Sequence, residues 1–381
     1  MPELPEVETV ARDLRGLIVG ATITGARGDW PRTIASHPTV EAFAEAVAGR
    51  RVEAVGRRAK LVVVRLSGGG RAPGPAGEAA ALTIHLKMTG QLFVVPKGAP
   101  GDRHVHLALG LSDGRELRFR DVRKFGRVGC WPVDPASGEV LAGAGGKSGG
   151  ERSAGLFDAL GPEPLDDAFT VRAFRGRLRG RRGRLKSLLL DQGFVAGVGN
   201  IYADEALWRA RLHPLRTAAT LRPADEARLH REIRAVLGEA VARRGSSIDD
   251  YTAPDGDGSM QERLEAYQRT GEPCPRCGRP IRRIVVSQRA THFCSWCQRL
   301  PAVDRPAASA ILAAGRAPRS RGRRWVELPG EGTLGLTPQE AAGAAARART
   351  ERTRRAAATR RGRARAGTGG ARGCRWSASP T

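Results

Sequence analysis

The sequence lacks the features that mark membrane proteins and secreted proteins. No apolar run approaches the roughly 20 residues that are needed to cross a bilayer. The first residues are acidic and carry no apolar segment of the secretory type, so we expect no signal peptide. The six cysteines are scarce for a chain of 381 residues, and four of them lie in two tight pairs, which is not the pattern of a disulfide framework. These absences predict a protein of a reducing cytoplasm.

Acidic residues are also scarce relative to basic ones. The chain has 64 Lys and Arg against 39 Asp and Glu, a net charge of +25. Residues 305–381 hold 17 arginines and 4 glutamates, a net charge of +13, which leaves +12 for residues 1–304. Because both parts are basic, the charge indicates a polyanionic partner, most often a nucleic acid.

The apolar pattern predicts an α+β chain whose helices and strands occupy different parts of the sequence. Helical spacing over residues 5–17 predicts an N-terminal helix. Strand patterns follow at residues 60–66, 82–86, 92–95, 104–109, 116–119 and 128–131. A set of short strands of this kind predicts a sandwich or a flattened barrel. Helical spacing returns at residues 171–178, 185–192, 201–210 and 223–243.

These patterns divide the chain into five parts. We predict an N-terminal β-sandwich domain at 1–141, a Gly-rich linker at 142–155, a helical domain at 156–262 and a cysteine module at 263–304. Residues 305–381 are rich in Ala, Arg, Gly and Thr and have few apolar anchors, so they cannot bury a core and we predict a disordered basic tail. Within that tail, only residues 325–336 carry a short Leu/Val segment that favours local order.

The N-terminal sequence Met-Pro-Glu-Leu-Pro-Glu brings an imino acid and two acids together. If Met1 is removed, Pro2 has a free secondary amine, and a terminal amine titrates near pH 8, so a fraction is unprotonated at neutral pH. Such an amine can attack an electrophilic carbon and form an iminium. Glu3 and Glu6 lie close enough in sequence to exchange protons with a substrate and to hold the amine. By themselves these residues also fit the first turn of an ordinary helix.

The paired cysteines have the spacing of a structural zinc site. Each pair has two intervening residues, and sixteen residues separate the pairs, which are Cys274, Cys277, Cys294 and Cys297. Four thiolates close a tetrahedral site and leave no position open for catalysis. The alternative, two disulfides, does not suit the rest of the composition. We therefore predict one structural Zn²⁺ that stabilises a hairpin too small to fold alone.

Several strings place these features in one family. The chain closely resembles the bacterial formamidopyrimidine-DNA glycosylases over about residues 1–300, in the order of that family. The resemblance rests on Met-Pro-Glu-Leu-Pro-Glu-Val-Glu-Thr at the start, Arg-Ala-Lys at 58–60, His-Leu-Lys-Met-Thr-Gly at 85–90, and residues 121–126, 161–165, 197–202 and 288–297. It implies an N-terminal sandwich, a helix–two-turn–helix domain and a zinc-ribbon hairpin.

The resemblance also implies catalytic roles. Pro2 corresponds to the nucleophile, Glu3 to a proton-exchanging acid and Glu6 to a residue that positions the amine. Lys60 corresponds to a lysine that contacts a phosphate and donates a proton in β-elimination. Arg289, in the string Gln-Arg-Ala-Thr, corresponds to an arginine that binds a phosphate and to which proton donation in δ-elimination is also assigned. An arginine is a poor acid, so phosphate binding is the physically simpler role.

Removal of a base from a duplex requires its extrusion, and the vacated space needs an apolar plug and a cation. The resemblance assigns the intercalating wedge to Met88 and Phe125, although each of them alone would suit a core, and it implies that Arg123 is the accompanying DNA-binding cation. It further implies DNA contacts at His104, Asn200 and Arg181, although Arg179 and Arg182 compete with Arg181. Asn200 follows a Gly-Val-Gly turn, where backbone amides at a helix start suit a phosphate.

The resemblance implies that this chain is a bifunctional DNA glycosylase and abasic-site lyase that acts on 8-oxoguanine and formamidopyrimidines. Its partner would be double-stranded DNA with oxidised bases or abasic sites, and we expect a monomer in a bacterial cytoplasm, associated with the nucleoid. An oxidised-pyrimidine glycosylase is the nearest alternative, but those enzymes typically have Gly where this chain has Leu4. A non-catalytic zinc-dependent DNA-binding protein is the alternative of another class. The loop at 250–262 departs from the common family form, which leaves the lesion preference open.

Overall fold

A computed structural model describes residues 1–69, 79–142, 155–247 and 258–315. All of them belong to one compact unit, residues 1–317. Predictions about residues 316–381, including the segment at 325–336, and about most of the loop at 250–262 lie outside the described residues. None of the helices in these four ranges is long and apolar enough to cross a membrane.

The N-terminal domain is a sandwich of two four-stranded antiparallel sheets, as the sequence predicted. Helix α1 (Leu4–Ile18) precedes β1 (Ile23–Gly28), and α2 (Val40–Val47) follows β1. The remaining strands are β2 (Val52–Arg58), β3 (Leu61–Leu66), β4 (Ala80–His85), β5 (Gly90–Pro96), β6 (Val105–Leu111), β7 (Arg115–Asp121) and β8 (Arg127–Pro132). One sheet has the order β1-β6-β7-β5 and the other β2-β3-β4-β8. Sequence patterns had not assigned β1, α2 or β2.

Helix α1 joins two hydrophobic cores. Its residues Val7 and Leu14 pack into the core between the sheets with Phe43 and Phe119. Its first residue, Leu4, packs instead into the core of the helical domain. The start of the chain is therefore fixed at the junction of the two domains.

The helical domain follows the predicted pattern closely. It contains α3 (Val171–Leu178), α4 (Leu185–Leu190), α5 (Asn200–Arg209) and α6 (Pro223–Ala242). Their apolar faces enclose a core that includes Phe174, Tyr202 and Ile233, all fully buried. Helix α6 also contacts α1, which adds to the junction between the domains.

The cysteine module ends in a β-hairpin and a helix. Strands β9 (Arg282–Val286) and β10 (Arg289–Phe293) form the hairpin, and α7 (Arg305–Ala314) follows. The disordered tail was predicted to begin at Arg305, but residues 305–314 are helical. The reason is that Ala308, Ile311 and Leu312 recur with helical spacing and pack on the hairpin, so this short segment does have an apolar surface to bury.

Candidate active site and nucleic-acid interface

The N-terminal acids are buried and hydrogen-bonded to each other. Glu3 is the N-cap of α1, and its backbone amide donates to Glu6 Oε2 over 2.8 Å in a capping box. Glu6 Oε1 also accepts from the amide of Ser246 over 2.9 Å and from the hydroxyl of Tyr202. Pro2 is buried beside them. Glu6 is thus tied to two distant segments, at Tyr202 and Ser246, as well as to the start of its own helix. The ordinary helix start considered from the sequence does not account for the two long-range bonds.

The carboxylate of Glu3 binds the start of helix α5. Its Oε1 accepts from the amide of Ile201 over 2.9 Å. Gly199 permits this approach, because a Cβ there would lie 2.3 Å from the Glu3 carboxyl carbon. The Gly-Val-Gly turn was expected to offer these helix amides to a phosphate, but the structure uses the Ile201 amide for Glu3. Burial raises the pKa of Glu3, which nearby Lys60 opposes and Glu6 reinforces.

Lys60 lies on the two-residue turn between β2 and β3. Its neighbour Ala59 has a left-handed backbone (φ +52°), and Lys60 itself is almost fully buried. Burial lowers the pKa of Lys60, the charges of Glu3 and Glu6 oppose this, and the charge of Arg289 adds to it. The four charged side chains predicted as catalytic residues or their support therefore interact electrostatically across one site.

Glu163 holds the turn that carries Lys60. Its Oε1 accepts from the amide of Ala59 over 2.6 Å and from Arg58 Nη1 over 2.7 Å, and Arg57 lies 2.7 Å from Oε2. Burial raises the pKa of Glu163, but the charge of Arg57 and these hydrogen bonds outweigh it, so the pKa lies below its ordinary value. The sequence showed Glu163 only as part of a family string, and its partners more than 100 residues away gave no local signal.

The wedge residues project from two loops that Asp121 ties together. Its carboxylate accepts from the hydroxyl of Thr89 and from the amides of Arg123 and Gly126, the last over 2.7 Å. Arg123 Nη1 lies 3.4 Å from Met88 Sδ. Asp121 thus brings together the predicted members of the wedge from two parts of the sequence.

The apolar tip of this loop faces solvent. The ring of Phe125 is 52% exposed and Val122 is 46% exposed, so Phe125 is not a core residue. Lys124, in a left-handed conformation, places Nζ 4.3 Å from the centroid of the Trp30 ring. The Trp30 contact anchors the loop at Lys124.

The predicted DNA contacts lie at or near the surface. His104 is partly exposed, and Arg179, Arg181 and Arg182 are all exposed. The structure therefore does not distinguish Arg181 from its neighbours. Asn200 has its side-chain Oδ1 buried and without a hydrogen-bond partner among the described residues.

The four cysteines meet as the sequence predicted. Their Sγ atoms all lie within 4.8 Å of one another, with Cys274–Cys297 at 4.0 Å and Cys277–Cys294 at 3.5 Å. Tetrahedral Zn–S bonds of about 2.3 Å require sulfur separations close to these values. The donor set fits a closed structural zinc site.

The hairpin above this cluster presents Arg289. The turn residues Ser287 and Gln288 both have positive φ, at +48° and +59°. Neither is Gly, so each carries a backbone cost of about 1 kcal/mol. The base of the hairpin is held by Asp204, which accepts from the amide of His292 over 2.9 Å and from buried Lys186 over 2.6 Å. The sequence did not reveal this buried network.

Comparisons with known proteins agree along the chain. Three family models match: the formamidopyrimidine-DNA glycosylase N-terminal domain at residues 1–128, its H2TH domain at 160–252, and the zinc finger found in FPG and IleRS at 271–300. The formamidopyrimidine-DNA glycosylase of Chloroflexus aurantiacus is 48% identical over 300 residues, which cover 78% of this chain and 98% of that protein.

Solved structures are similar as well. Wild-type Lactococcus lactis Fpg (MutM) in complex with N7-benzyl-Fapy-dG containing DNA is 34% identical, with a TM-score of 0.66 over 78% of this chain and 100% of that one. MutM in complex with carbocyclic 8-oxo-G containing DNA gives the same values. The zinc-finger match and the four-cysteine geometry together assign one structural Zn²⁺ to the cysteine module.

Proposed function

Because this chain belongs to the formamidopyrimidine-DNA glycosylase family, we propose that it excises oxidised purines from double-stranded DNA and cleaves the strand at the resulting abasic site. Its proposed substrates are formamidopyrimidine and 8-oxoguanine lesions, the bases named in the complexes of similar proteins. The observation that supports this best is the buried set of Glu3, Glu6 and Lys60 beside Pro2.

Pro2 is the proposed nucleophile after removal of Met1. Its nitrogen lone pair forms a bond to C1′ of the extruded nucleotide, and the base leaves with the electron pair of the broken glycosidic bond and takes up a proton. The proline nitrogen loses its own proton in this step. Opening of the sugar breaks C1′–O4′ and leaves an iminium between C1′ and the proline nitrogen. Glu3 is suited to protonate O4′, because its raised pKa favours the acid form at higher pH than an ordinary carboxyl.

Strand cleavage follows from the iminium. A proton leaves C2′ and the 3′ phosphate departs with the electron pair of its C–O bond. In the δ-elimination that follows, a proton leaves C4′ and the 5′ phosphate departs with the electron pair of its own C–O bond. Water then hydrolyses the iminium, which releases the sugar remnant and frees the amine of Pro2. Lys60 is the proposed proton donor of the first elimination, and its lowered pKa makes its proton easier to release. Arg289 is proposed to bind the flanking phosphate, the role that suits a guanidinium.

The remaining predicted residues have supporting roles in this proposal. Glu6 holds the backbone beside the amine, because it accepts from the amide of Glu3. Met88, Arg123 and Phe125 fill the space that the extruded base leaves, and His104, Asn200 and Arg181 or a neighbouring arginine bind the DNA backbone.

Single-turnover assays on duplexes that each carry one defined lesion test the substrate class. We expect faster excision of 8-oxoguanine opposite cytosine than of thymine glycol. The reverse order would assign the chain to the oxidised-pyrimidine branch.

Borohydride should trap a covalent protein–DNA adduct, and peptide mapping should locate the link on Pro2. A link on Lys60 would refute the nucleophile, and DNA binding without excision or trapping would favour a non-catalytic zinc protein.

We further propose that the protein acts on nucleoid DNA in a bacterial cytoplasm. The cited Chloroflexus and Lactococcus relatives are bacterial, and a four-thiolate zinc site suits a reducing compartment. Fluorescence imaging of a C-terminal fusion should show co-localisation with DNA, and a diffuse signal excluded from the nucleoid would contradict the proposal.

A further inference from the structure

Helix α7 lies beyond the part of the chain that the relatives share. The zinc-finger match ends at residue 300, and 78% of this chain accounts for the whole length of the similar glycosylase of Herpetosiphon aurantiacus. Helix α7 begins at Arg305 and extends to Ala314. The comparisons therefore assign no role to this helix.

Helix α7 covers one face of the zinc hairpin. Ala308 is almost fully buried, and it packs with Ile284 and Val286, which point to the same side of β9. At the helix end, Gly315 lies so close to Ile284 that an added Cβ would be only 2.7 Å from Ile284 Cγ2. The contact is apolar and involves Ile284 and Val286, the two buried residues of β9.

The same helix is also fixed to the helical domain. Asp304, which precedes α7, accepts from the hydroxyl of Thr220 over 2.9 Å, and Arg184 donates to the carbonyl of Ala307 over 2.9 Å. Leu215, from the segment that follows α5, joins the apolar cluster of the hairpin. Helix α7 thus connects β9 to a part of the molecule that does not belong to the zinc module.

The hairpin needs such support for a physical reason. A two-stranded hairpin is only marginally stable without packing on one of its faces. Its turn places Ser287 and Gln288 in the left-handed region, where the preferred pair would contain Gly. A strained turn of this kind persists only when the surrounding structure over-determines it. Arg289 follows the turn directly, so its direction depends on that conformation.

We propose that α7 is a positioning element for Arg289: it clamps β9 to the helical domain and so holds the turn that directs the guanidinium at the DNA phosphate. The role of Arg289 itself rests on the proposed function, whereas the clamping of the hairpin by α7 does not. The helix makes the first part of the C-terminal extension an integral part of the enzyme.

A matched pair of substitutions on α7 tests this proposal in the full-length zinc protein. Ala308→Asp introduces a charge against β9, and Ala310→Asp introduces the same charge on the exposed face of the same helix. We expect Ala308→Asp to raise KM for lesion DNA by about tenfold, because a buried unpaired charge displaces the helix. We expect kcat per active site, counted by borohydride trapping, to change little. Ala310→Asp should leave both constants unchanged.

The Arg289→Ala background separates positioning from general destabilisation. If α7 acts through Arg289, Ala308→Asp should not raise KM further in that background. An equal rise in both backgrounds, or equal effects of Ala308→Asp and Ala310→Asp, would overturn the proposal. Chains that end after Asp304 and after Gly315 provide a second comparison, since only the former loses α7.

Hydrogen exchange keeps the two proposals distinguishable. Amides of β9 and β10 should exchange faster in Ala308→Asp and in the chain ending after Asp304, whatever the substrate is. If wild-type protein cleaves no damaged DNA but these amides lose protection, the proposed function fails and the clamp stands. If cleavage is normal and the amides stay protected in both variants, the clamp fails alone.

Discussion

The buried N-terminal site and the exposed wedge loop are built in opposite ways. Around Pro2, carboxylates are buried and held by hydrogen bonds, as Glu6 is by the backbone amides of Glu3 and Ser246 and the hydroxyl of Tyr202. On the wedge loop, the side chain of Phe125 is half exposed, and Asp121 fixes the backbone beside it. Proposed chemistry depends on shifted pKa values, which require burial, whereas insertion into DNA requires a free apolar surface.

Blocking the terminal amine should break the chemical site completely and leave the wedge unaffected. An uncleaved N-terminal tag, or selective acylation of Pro2, removes the nucleophilic lone pair. We expect strand cleavage at a preformed abasic site to fall by at least about a thousandfold. Gel-shift affinity for the same DNA should change far less. If the blocked protein cleaves at the native rate, Pro2 is not the nucleophile and Lys60 is the next candidate.

Loss of zinc should weaken DNA binding without altering the residues around Pro2. Cys294→Ser removes one of four thiolates, so we expect the metal content to fall and affinity for damaged DNA to drop by about a hundredfold. Elemental analysis and gel-shift titration measure the two effects, and Cys374→Ser, outside the cluster, serves as the control. Metal-free protein that binds DNA normally would contradict the structural role of the zinc.

Phe125→Ala should affect the wedge and spare the proline site. We expect excision of 8-oxoguanine from a duplex to slow by about tenfold, since unstacking loses an apolar plug. Cleavage of a preformed abasic site, which has no base to extrude, should stay near the native rate. Val122→Ala, at a similarly exposed position on the same loop, is the control and should slow excision less. If both variants slow excision equally, the ring of Phe125 has no special part.

The smallest effect on activity should come from His213, which lies in neither site. Burial lowers its pKa to about 4, and the charge of Asp304 only partly opposes this. The unfolded chain, with a histidine pKa near 6.5, binds a proton first as pH falls, so stability is lost below that value. The free energy of unfolding should drop by about 2 kcal/mol between pH 7 and pH 5.

Denaturant titration of His213→Asn at both pH values measures this contribution. The variant should lose about 2 kcal/mol less than wild type over that interval and keep its cleavage rate at pH 7. His104→Asn, at a partly exposed position, is the control for histidine removal. Equal pH dependence in wild type and His213→Asn would show that protonation of His213 does not affect folding.

Local patterns predicted the elements of this fold better than its contacts. The four cysteines and helices α3 to α6 were predictable because zinc spacing and helical periodicity are properties of short segments. Strand β1 was missed because its sequence, Ile-Thr-Gly-Ala-Arg-Gly, has little apolar alternation, and helix α2 was missed as well. Helix α7 was missed because its composition resembled the tail that follows it.

The sequence proposed residues for the site but did not predict their hydrogen bonds. Glu3, Lys60 and Arg289 were proposed from the sequence and its resemblance, whereas the bond between Glu3 and the start of α5 was not foreseen. Glu163 received no role, since Ala59 lies 104 residues away along the chain. Such partners are set by tertiary structure, and neither composition nor periodicity contains that information.

The burial of Pro2 has a consequence for the biosynthesis of the protein. The amide of Leu4, two residues further on, donates to the carbonyl of Gly197 over 3.0 Å, so the start of the chain docks against a segment made almost 200 residues later. At about 5 to 20 residues per second, the ribosome needs about 10 to 40 s to reach that segment. During translation, an aminopeptidase therefore meets Met1 on an undocked terminus, whereas after folding it meets an exposed Met1 joined to a buried Pro2.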